Sequence, residues 1–461
     1  MNRPQSAFHR ITTAALTSVL MLSVGACGNS TSAGNASSGM DIKLSDIEHA
    51  LTSDNDVNLT MWASSYEYLK QSVQAFEEKY PHIHIDFVNP GSQSDMMIKF
   101  QNAVTAKKGI PDILQFGYDS YPQFAVSGSL LNFKSEEIEK AWASKYSPST
   151  WQAVHVGQGL YGLPQDQAPI AMYSRKDILQ EHGLEIPKTW DEFYETGKKL
   201  HEADPSKYMG FIDVTDSKAW STFYRQASAP LWKVENTSEI SLSTDSAQAR
   251  KVTAFLQKCL DDGVLKGVSN ATDEFMRDIN AGKYVTWIDE NWRGGLIEKS
   301  YPSLAGKYTV TLPPAWGDDP QSVKTASGGS MLALSAAIPQ EKAAAALAFM
   351  DWLNTSEESI EAFQNSNGFF FMASSKFQQE AAKKKTIDEF FGQDANSVYF
   401  ESANKVNADW SYLPFLSQLN TYFTDVIAPA LSDDGDLEDA INAFQPKVED
   451  FAQKQGFTVN K

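Results

Sequence analysis

The chain has 461 residues, 42% hydrophobic and 12% aromatic, which is enough for two or three packed domains and excludes a disordered segment or a small disulfide-held scaffold. Its 39 Lys and Arg stand against 58 Asp and Glu, a net charge of −19; a nucleic-acid partner, which needs a basic face, is excluded. Two cysteines, Cys27 and Cys259, give neither a disulfide framework nor a four-ligand zinc site.

At the start of the chain, Arg3 and Arg10 supply a basic segment with no acid, and residues 11–26 are apolar or small. This stretch is too short to span a bilayer and reads as a signal peptide over residues 1–26. The run Val24, Gly25, Ala26, Cys27 resembles the lipobox of bacterial lipoproteins, which implies a diacylated Cys27 as the mature N-terminus. Residues 28–39, rich in Gly, Ser and Asn, suit a flexible tether, and residues 27–56 are read together as anchor and tether. With Cys27 lipidated, Cys259 is expected as a buried small hydrophobe.

From Val57 the pattern changes. Val57, Leu59 and Met61 alternate with polar residues as in a strand. Leu69, Val73, Phe76 and Tyr80 follow at helical spacing, Pro81 closes that helix, and Ile83, Ile85 and Phe87 alternate as a second strand. A helix over 95–107 then leads to an apolar strand over 113–116. Such alternation predicts α/β layering with right-handed crossovers. Farther along, 308–312 reads as a strand, 341–353 as an Ala-rich helix, and Leu437, Ile441, Phe444, Val448 and Phe451 as a helical stripe interrupted by Pro446. No internal repeat or further apolar span is evident.

Catalytic motifs are scarce. Gly157, Gly159 and Gly162 form G-x-G-x-x-G, but Leu163, Pro164, Gln165 and Asp166 follow where a phosphate site needs a helix N-terminus; a turn-rich loop is expected instead. His82 and His84 alternate with Ile83 and Ile85, which puts both on the solvent face of a strand and argues against a metal site. No cofactor is expected. What stands out is aromatic residues beside carboxylates and amides near strand ends, where α/β sheets hold their ligands. Trp62, Tyr66 and Glu67 follow the first strand; Tyr118 and Asp119 follow the third. Gln165 and Asp166 sit in a loop. Asp289, Glu290, Asn291, Trp292 and Arg293 follow the apolar run 284–288. A flat aromatic face meets the C–H face of a pyranose while Asp, Asn and Gln engage its hydroxyls, so the mixture suits a neutral sugar.

The stretch 110–131 (IPDILQFGYDSYPQFAVSGSLL) resembles a segment of the extracellular solute-binding proteins of ABC sugar importers. Further matches in the same order are 159–169 (GLYGLPQDQAP), 176–193, 279–292 (INAGKYVTWIDENW), 312–316 (LPPAW), 327–335 (SGGSMLALS) and 367–375 (NGFFFMASS). The resemblance implies an α/β fold of periplasmic-binding-protein type: two lobes around a ligand cleft, with discontinuous domains joined by hinge segments. Matched by motif, lobe 1 comprises 57–164 plus 331–375 and lobe 2 comprises 165–330 plus 376–461. Asp119 falls on the family's sugar-binding aspartate and Trp292 on its stacking tryptophan. Gly328, Gly329 and Ser330 match a glycine-serine segment that lies near ligand. Two departures, Ser174 in S-R-K-D and Ala168 where maltose-binding members are acidic, argue against a maltodextrin. The implied protein is a lipid-anchored monomer at the outer membrane face that captures a neutral oligosaccharide, delivers it to ABC permease subunits and catalyses nothing. A secreted lipoprotein glycoside hydrolase and a carbohydrate-binding surface adhesin are the alternative readings.

Overall fold

The computed structural model describes residue 40 and residues 42–460, apart from 326, 366–370, 384–385, 408–410 and 433–434. The signal peptide, the tether up to residue 39 and Cys27 lie outside the described residues. A short helix, Leu44–Ala50, with Ile47 buried, precedes β1 (Val57–Trp62) and lies within residues 27–56, read from sequence as anchor and tether. The helix Tyr66–Lys79, β2 (Ile83–Val88), the helix Gln93–Ala106 and β3 (Ile113–Gly117) follow as expected from their periodicity. Ser92 caps the second of these helices by accepting from the Asp95 amide, and Lys107 ends it in a left-handed turn.

The three glycines of the G-x-G-x-x-G run lie in strands and turns. A hairpin of β4 (His155–Val156) and β5 (Gly159–Leu160) turns at Gly157, φ 57°, before β6 (Gly162–Pro164). Next comes β7 (Asp166–Arg175), buried along all ten residues. The later strands are β8 (Gly210–Asp213), β9 (Trp232–Asn236), β10 (Glu239–Leu242), β11 (Leu265–Val268), β12 (Thr286–Glu290), β13 (Tyr308–Thr311), β14 (Ser327–Gly328), β15 (Ser330–Leu334), β16 (Phe371–Met372) and β17 (Thr458–Asn460).

Two main sheets result. The first has the order β2-β1-β3-β15-β6, with β1 parallel to β2 and β3 and with β15 antiparallel to both its neighbours. The second is built on β7, which pairs antiparallel with β12 and β13 along its C-terminal half and with β14 and β16 at its start. The parallel pair β8 and β11 stands beside it, and β9, β10 and β17 form a small separate sheet. Helix Gln340–Thr355 packs on the first sheet through Ala343, Ala345, Ala346 and Ala348, whose small side chains let the backbone approach closely.

Among the described residues the chain passes between the two sheets at Gln165, between β6 and β7, and at Gly329, between β14 and β15; Ala373, which follows β16, runs beside them. The Gln165 amide donates to the Ser330 carbonyl at 2.9 Å and the Ala373 amide donates to the Gln165 carbonyl at 3.0 Å. The three segments thus lie side by side as one short ribbon.

Three details differ from the sequence reading. The helix Leu437–Lys454 runs through Pro446 without interruption. Pro446 is exposed, so the carbonyl that loses its amide partner faces water. Of the two histidines, His84 is exposed on β2, whereas His82 precedes the strand and its ring bonds the Ala50 carbonyl at 2.8 Å. Asp289 and Glu290 are the last residues of β12 and do not lie beyond it. Cys259 is buried, as expected.

Candidate functional site

Where the two sheets meet, β3 ends and turns its next residues toward the second sheet. The Tyr118 amide donates to the Gly329 carbonyl at 3.0 Å, and its hydroxyl donates to the Asp166 carbonyl at 2.8 Å. This tyrosine therefore clamps the crossing segments. Its neighbour Asp119 keeps a side chain 20% exposed, with Oδ2 2.6 Å from Lys218 Nζ. Lys218 lies in the first turn of the helix Ser217–Gln226, which follows β8. The N-cap residue Asp216 accepts from the Lys218 amide at 2.9 Å and fixes that turn. Burial works against the Lys218 ammonium, but Asp119 and Asp216 more than offset it and hold its pKa above the ordinary lysine value.

The opposite wall comes from the end of β12 and the helix Trp292–Ser300. The Asn291 amide donates to the Pro169 carbonyl, and the Tyr173 hydroxyl donates to the Asn291 carbonyl, so this corner is tied to β7. The Arg293 guanidinium lies 4.3 Å from the Trp287 ring centre and 4.4 Å from that of Trp292, while its Nε donates to Asp289 at 2.7 Å. Arg293 thereby backs one face of the Trp292 indole. The indole N–H donates to Glu290, which fixes the ring's rotation. Burial, then the neighbouring Asp289, push the Glu290 pKa up to about 7.

The floor is the crossing ribbon. The Ser330 amide and hydroxyl both donate to Asp166 Oδ1. Burial nevertheless raises the Asp166 pKa to about 6 against these bonds. Gly329 has φ 118°, and a Cβ there would lie 2.5 Å from the Asp166 carbonyl oxygen; a Cβ at Gly328 would lie 2.0 Å from a Glu290 carboxyl oxygen. Both positions need glycine for space, and Gly329 also for its backbone conformation.

These groups enclose a cavity of about 270 Å³ lined by Gln93, Gly117, Asp119, Asp166, Ala168, Lys218, Glu290, Trp292, Gly328, Gly329, Ser330 and Tyr412. A smaller space of about 150 Å³, reaching into the second sheet's side, shares Lys218, Glu290, Trp292, Gly328 and Tyr412 with it. The arrangement offers one indole face, a carboxylate pinned by an ammonium and two enclosed carboxyls, a set suited to the C–H face and hydroxyls of a sugar. Among the described residues there is no cluster of three or more His, Cys, Asp or Glu that could hold a metal ion.

Of the residues named from sequence, Asp119, Asp166, Glu290, Trp292, Gly328, Gly329 and Ser330 line this cavity. The others are placed elsewhere. Tyr66 packs against Phe87 with ring centres 4.6 Å apart, exposed Glu67 pairs with Lys70, and Trp62 ends β1. Gln165 is enclosed in a side-chain network with Gln115 and Ser330. Tyr118 lines a separate cavity of about 500 Å³ beyond Tyr412. Asn291 holds the corner and Arg293 backs the indole. Sequence reasoning missed Lys218, Tyr412 and Gln93. Lys218 follows the short strand β8, so the rule that sites lie past strand ends would have reached it had that strand been recognised.

Residues 62–360 match the model of the family described as bacterial extracellular solute-binding protein. An arabinooligosaccharide-binding protein of Halalkalibacterium halodurans is 22% identical over 268 residues, 56% of this chain and 59% of that protein. A lactose-binding protein of Rhizobium radiobacter is 23% identical over 286 residues, 60% of this chain and 65% of the relative. The chain thus matches about three fifths of the length of these curated relatives, which are named for binding sugars and not for catalysis. Among solved structures, an ABC transporter associated binding protein from B. animalis subsp. lactis Bl-04 in complex with beta-1,6-galactobiose superposes with a TM-score of 0.70 at 25% identity, covering 88% of this chain and 100% of that one. The fold is that of the periplasmic-binding-protein type, two α/β lobes about a cleft.

Proposed function

We propose a function from one premise: the chain belongs to the bacterial extracellular solute-binding protein family. The protein captures a neutral oligosaccharide between its lobes and delivers it to the permease of an ABC importer, making and breaking no bond. The observation that carries this reading is the cavity walled by Asp119 from one lobe and by Lys218 and Trp292 from the other. The cation that lines it, Lys218, is already paired with Asp119, and Arg293 behind the indole is paired with Asp289. An acidic sugar would therefore find carboxyls and no uncommitted counter-charge. The passages at Gln165 and Gly329 support the division between 57–164 plus 331–375 and 165–330 plus 376–461 at residues 165 and 330, while β16, within 331–375, pairs with β7 of the second sheet.

The protein is held at the outer membrane face by lipid on Cys27, a reading supported by the basic, apolar and small-residue run before that cysteine. Cys27→Ala releases it from the membrane fraction; equal retention of both forms, with no lipid found by mass spectrometry, would count against the anchor. Relatives bind arabinooligosaccharides, lactose and β-1,6-galactobiose, which sets the first test. Isothermal calorimetry against those sugars and a wider panel of neutral oligosaccharides gives saturable binding of at least one. No heat across the panel, or appearance of cleavage products on long incubation, overturns the reading.

A further inference from the structure

Lys218 is a charged residue of the cleft that sequence reasoning missed. It belongs to a helix on the second sheet's side, yet its ammonium sits 2.6 Å from Asp119, which emerges from the end of β3 in the first sheet. Other well-formed pairs, Lys145 with Asp351 and Arg175 with Asp177, join residues on the same side of the crossing. The turn carrying Lys218 is rigidly held. Asp216 caps it, the Ser217 amide donates to Asn420 Oδ1 at 2.9 Å, and the Lys218 carbonyl accepts from Ser221 and Thr222 one turn on. An ammonium has three donors and a carboxylate about four acceptor positions. A single contact between them leaves both with capacity for a further partner in the cavity that both line.

We propose that Lys218 is a specificity-determining residue that works as one unit with Asp119: the ion pair draws the two lobes together across the empty cleft and presents a donor and an acceptor side by side to saccharide hydroxyls. The proposal rests on the two-lobed binding function above and deepens it. Charge neutralised inside the pair leaves a bipolar hydrogen-bonding surface, which matches a hydroxyl, itself donor and acceptor. A ligand carboxylate would compete with Asp119 for the ammonium and meet Glu290 beside it, which sets the preference for neutral ligands.

Small-angle scattering of the ligand-free protein tests the closing contact without any sugar. Lys218→Met raises the radius of gyration, Lys218→Arg does not, and the exchange Asp119→Lys with Lys218→Asp keeps the compact value. Asp119→Asn, which preserves side-chain size, expands the protein in the same way and carries the test should Lys218→Met not fold. A Lys218→Met or Asp119→Asn protein as compact as wild type overturns the proposal. For any panel sugar that wild type binds, Lys218→Met weakens affinity by about tenfold or more and Lys218→Arg by much less; equal affinity for Lys218→Met also overturns it. If wild type binds no sugar at all, the transport reading falls while scattering still decides whether the pair holds the lobes.

Discussion

Trp292 shows how one side chain divides its two faces between structure and ligand. Arg293 covers one face and Glu290 holds the edge, so the remaining face is a preset platform whose rotamer need not be ordered on binding. Trp292→Ala should weaken sugar binding by about 30-fold, near 2 kcal/mol, measured by calorimetry. Its cost in stability should be smaller, about 0.5–1 kcal/mol from the lost cation–π contact, as read by denaturant unfolding. A stability loss that matches the binding loss would make the ring a packing element only. Asp119 and Trp292 were legible because they follow apolar strands and match family motifs. Arg293 was read as a ligand contact, and no spacing rule reveals that a guanidinium four residues from its carboxylate partner slots between two indoles.

Asp166 and Glu290 add a dependence on pH. Their carboxyls hold protons up to about pH 6 and about pH 7, against ordinary values of 3.8 and 4.5. The folded protein thus keeps protons that the unfolded chain releases. This contribution to stability is fully present below about pH 4 and is lost as pH rises through 6 and 7. Melting temperature should fall between about pH 4 and about pH 7, and Glu290→Gln should flatten the upper part of that fall, since an amide oxygen still accepts from the indole. A slope unchanged by Glu290→Gln would show that this carboxyl does not titrate in the window.

At the scale of elements, the crossing ribbon concentrates what the fold needs. Gly329 occupies a backbone region closed to side chains, and a Cβ would meet the Asp166 carbonyl. Gly329→Ala should destabilise by about 1–3 kcal/mol with little change in far-ultraviolet circular dichroism; an unchanged unfolding midpoint would show that the ribbon relaxes freely. Regular elements such as β1, β2 and the helix Gln340–Thr355 were readable because half-buried strands alternate and helices repeat at 3.6 residues. The strands β4, β5, β6, β14 and β16 were not. At two or three residues each they have no period: β14 and β16 exist because the long β7 gives them a partner, β6 because β15 does, and β4 and β5 because they pair with each other. Pro446 marks the opposite limit: local propensity predicted a break, and a solvent-facing position in a well-packed helix overrode it.

For the whole molecule, the lobed plan follows from neighbouring passages between sheets, which resist sliding but allow rotation about the ribbon. A sugar that engages both walls favours the closed form in proportion to its preference for that form. At about 100 times its dissociation constant it should add about 2.7 kcal/mol to stability, seen as a higher melting temperature alongside a smaller radius of gyration. Stabilisation without contraction would place the sugar on one lobe alone.

The position of β15 has a consequence for how the chain reaches this state. In the first sheet it stands between β3 and β6, and β6 pairs with no other strand of that sheet. Yet β15 is made of residues 330–334, long after β1, β2, β3 and β6 have left the ribosome. Until then β3 has a bare inner edge and β6 has nothing to join, so nearly all of one lobe waits in a loose state for a strand encoded beyond most of the other. The lobes therefore cannot mature in the order of synthesis: the sequence itself delays folding until most of it has been made.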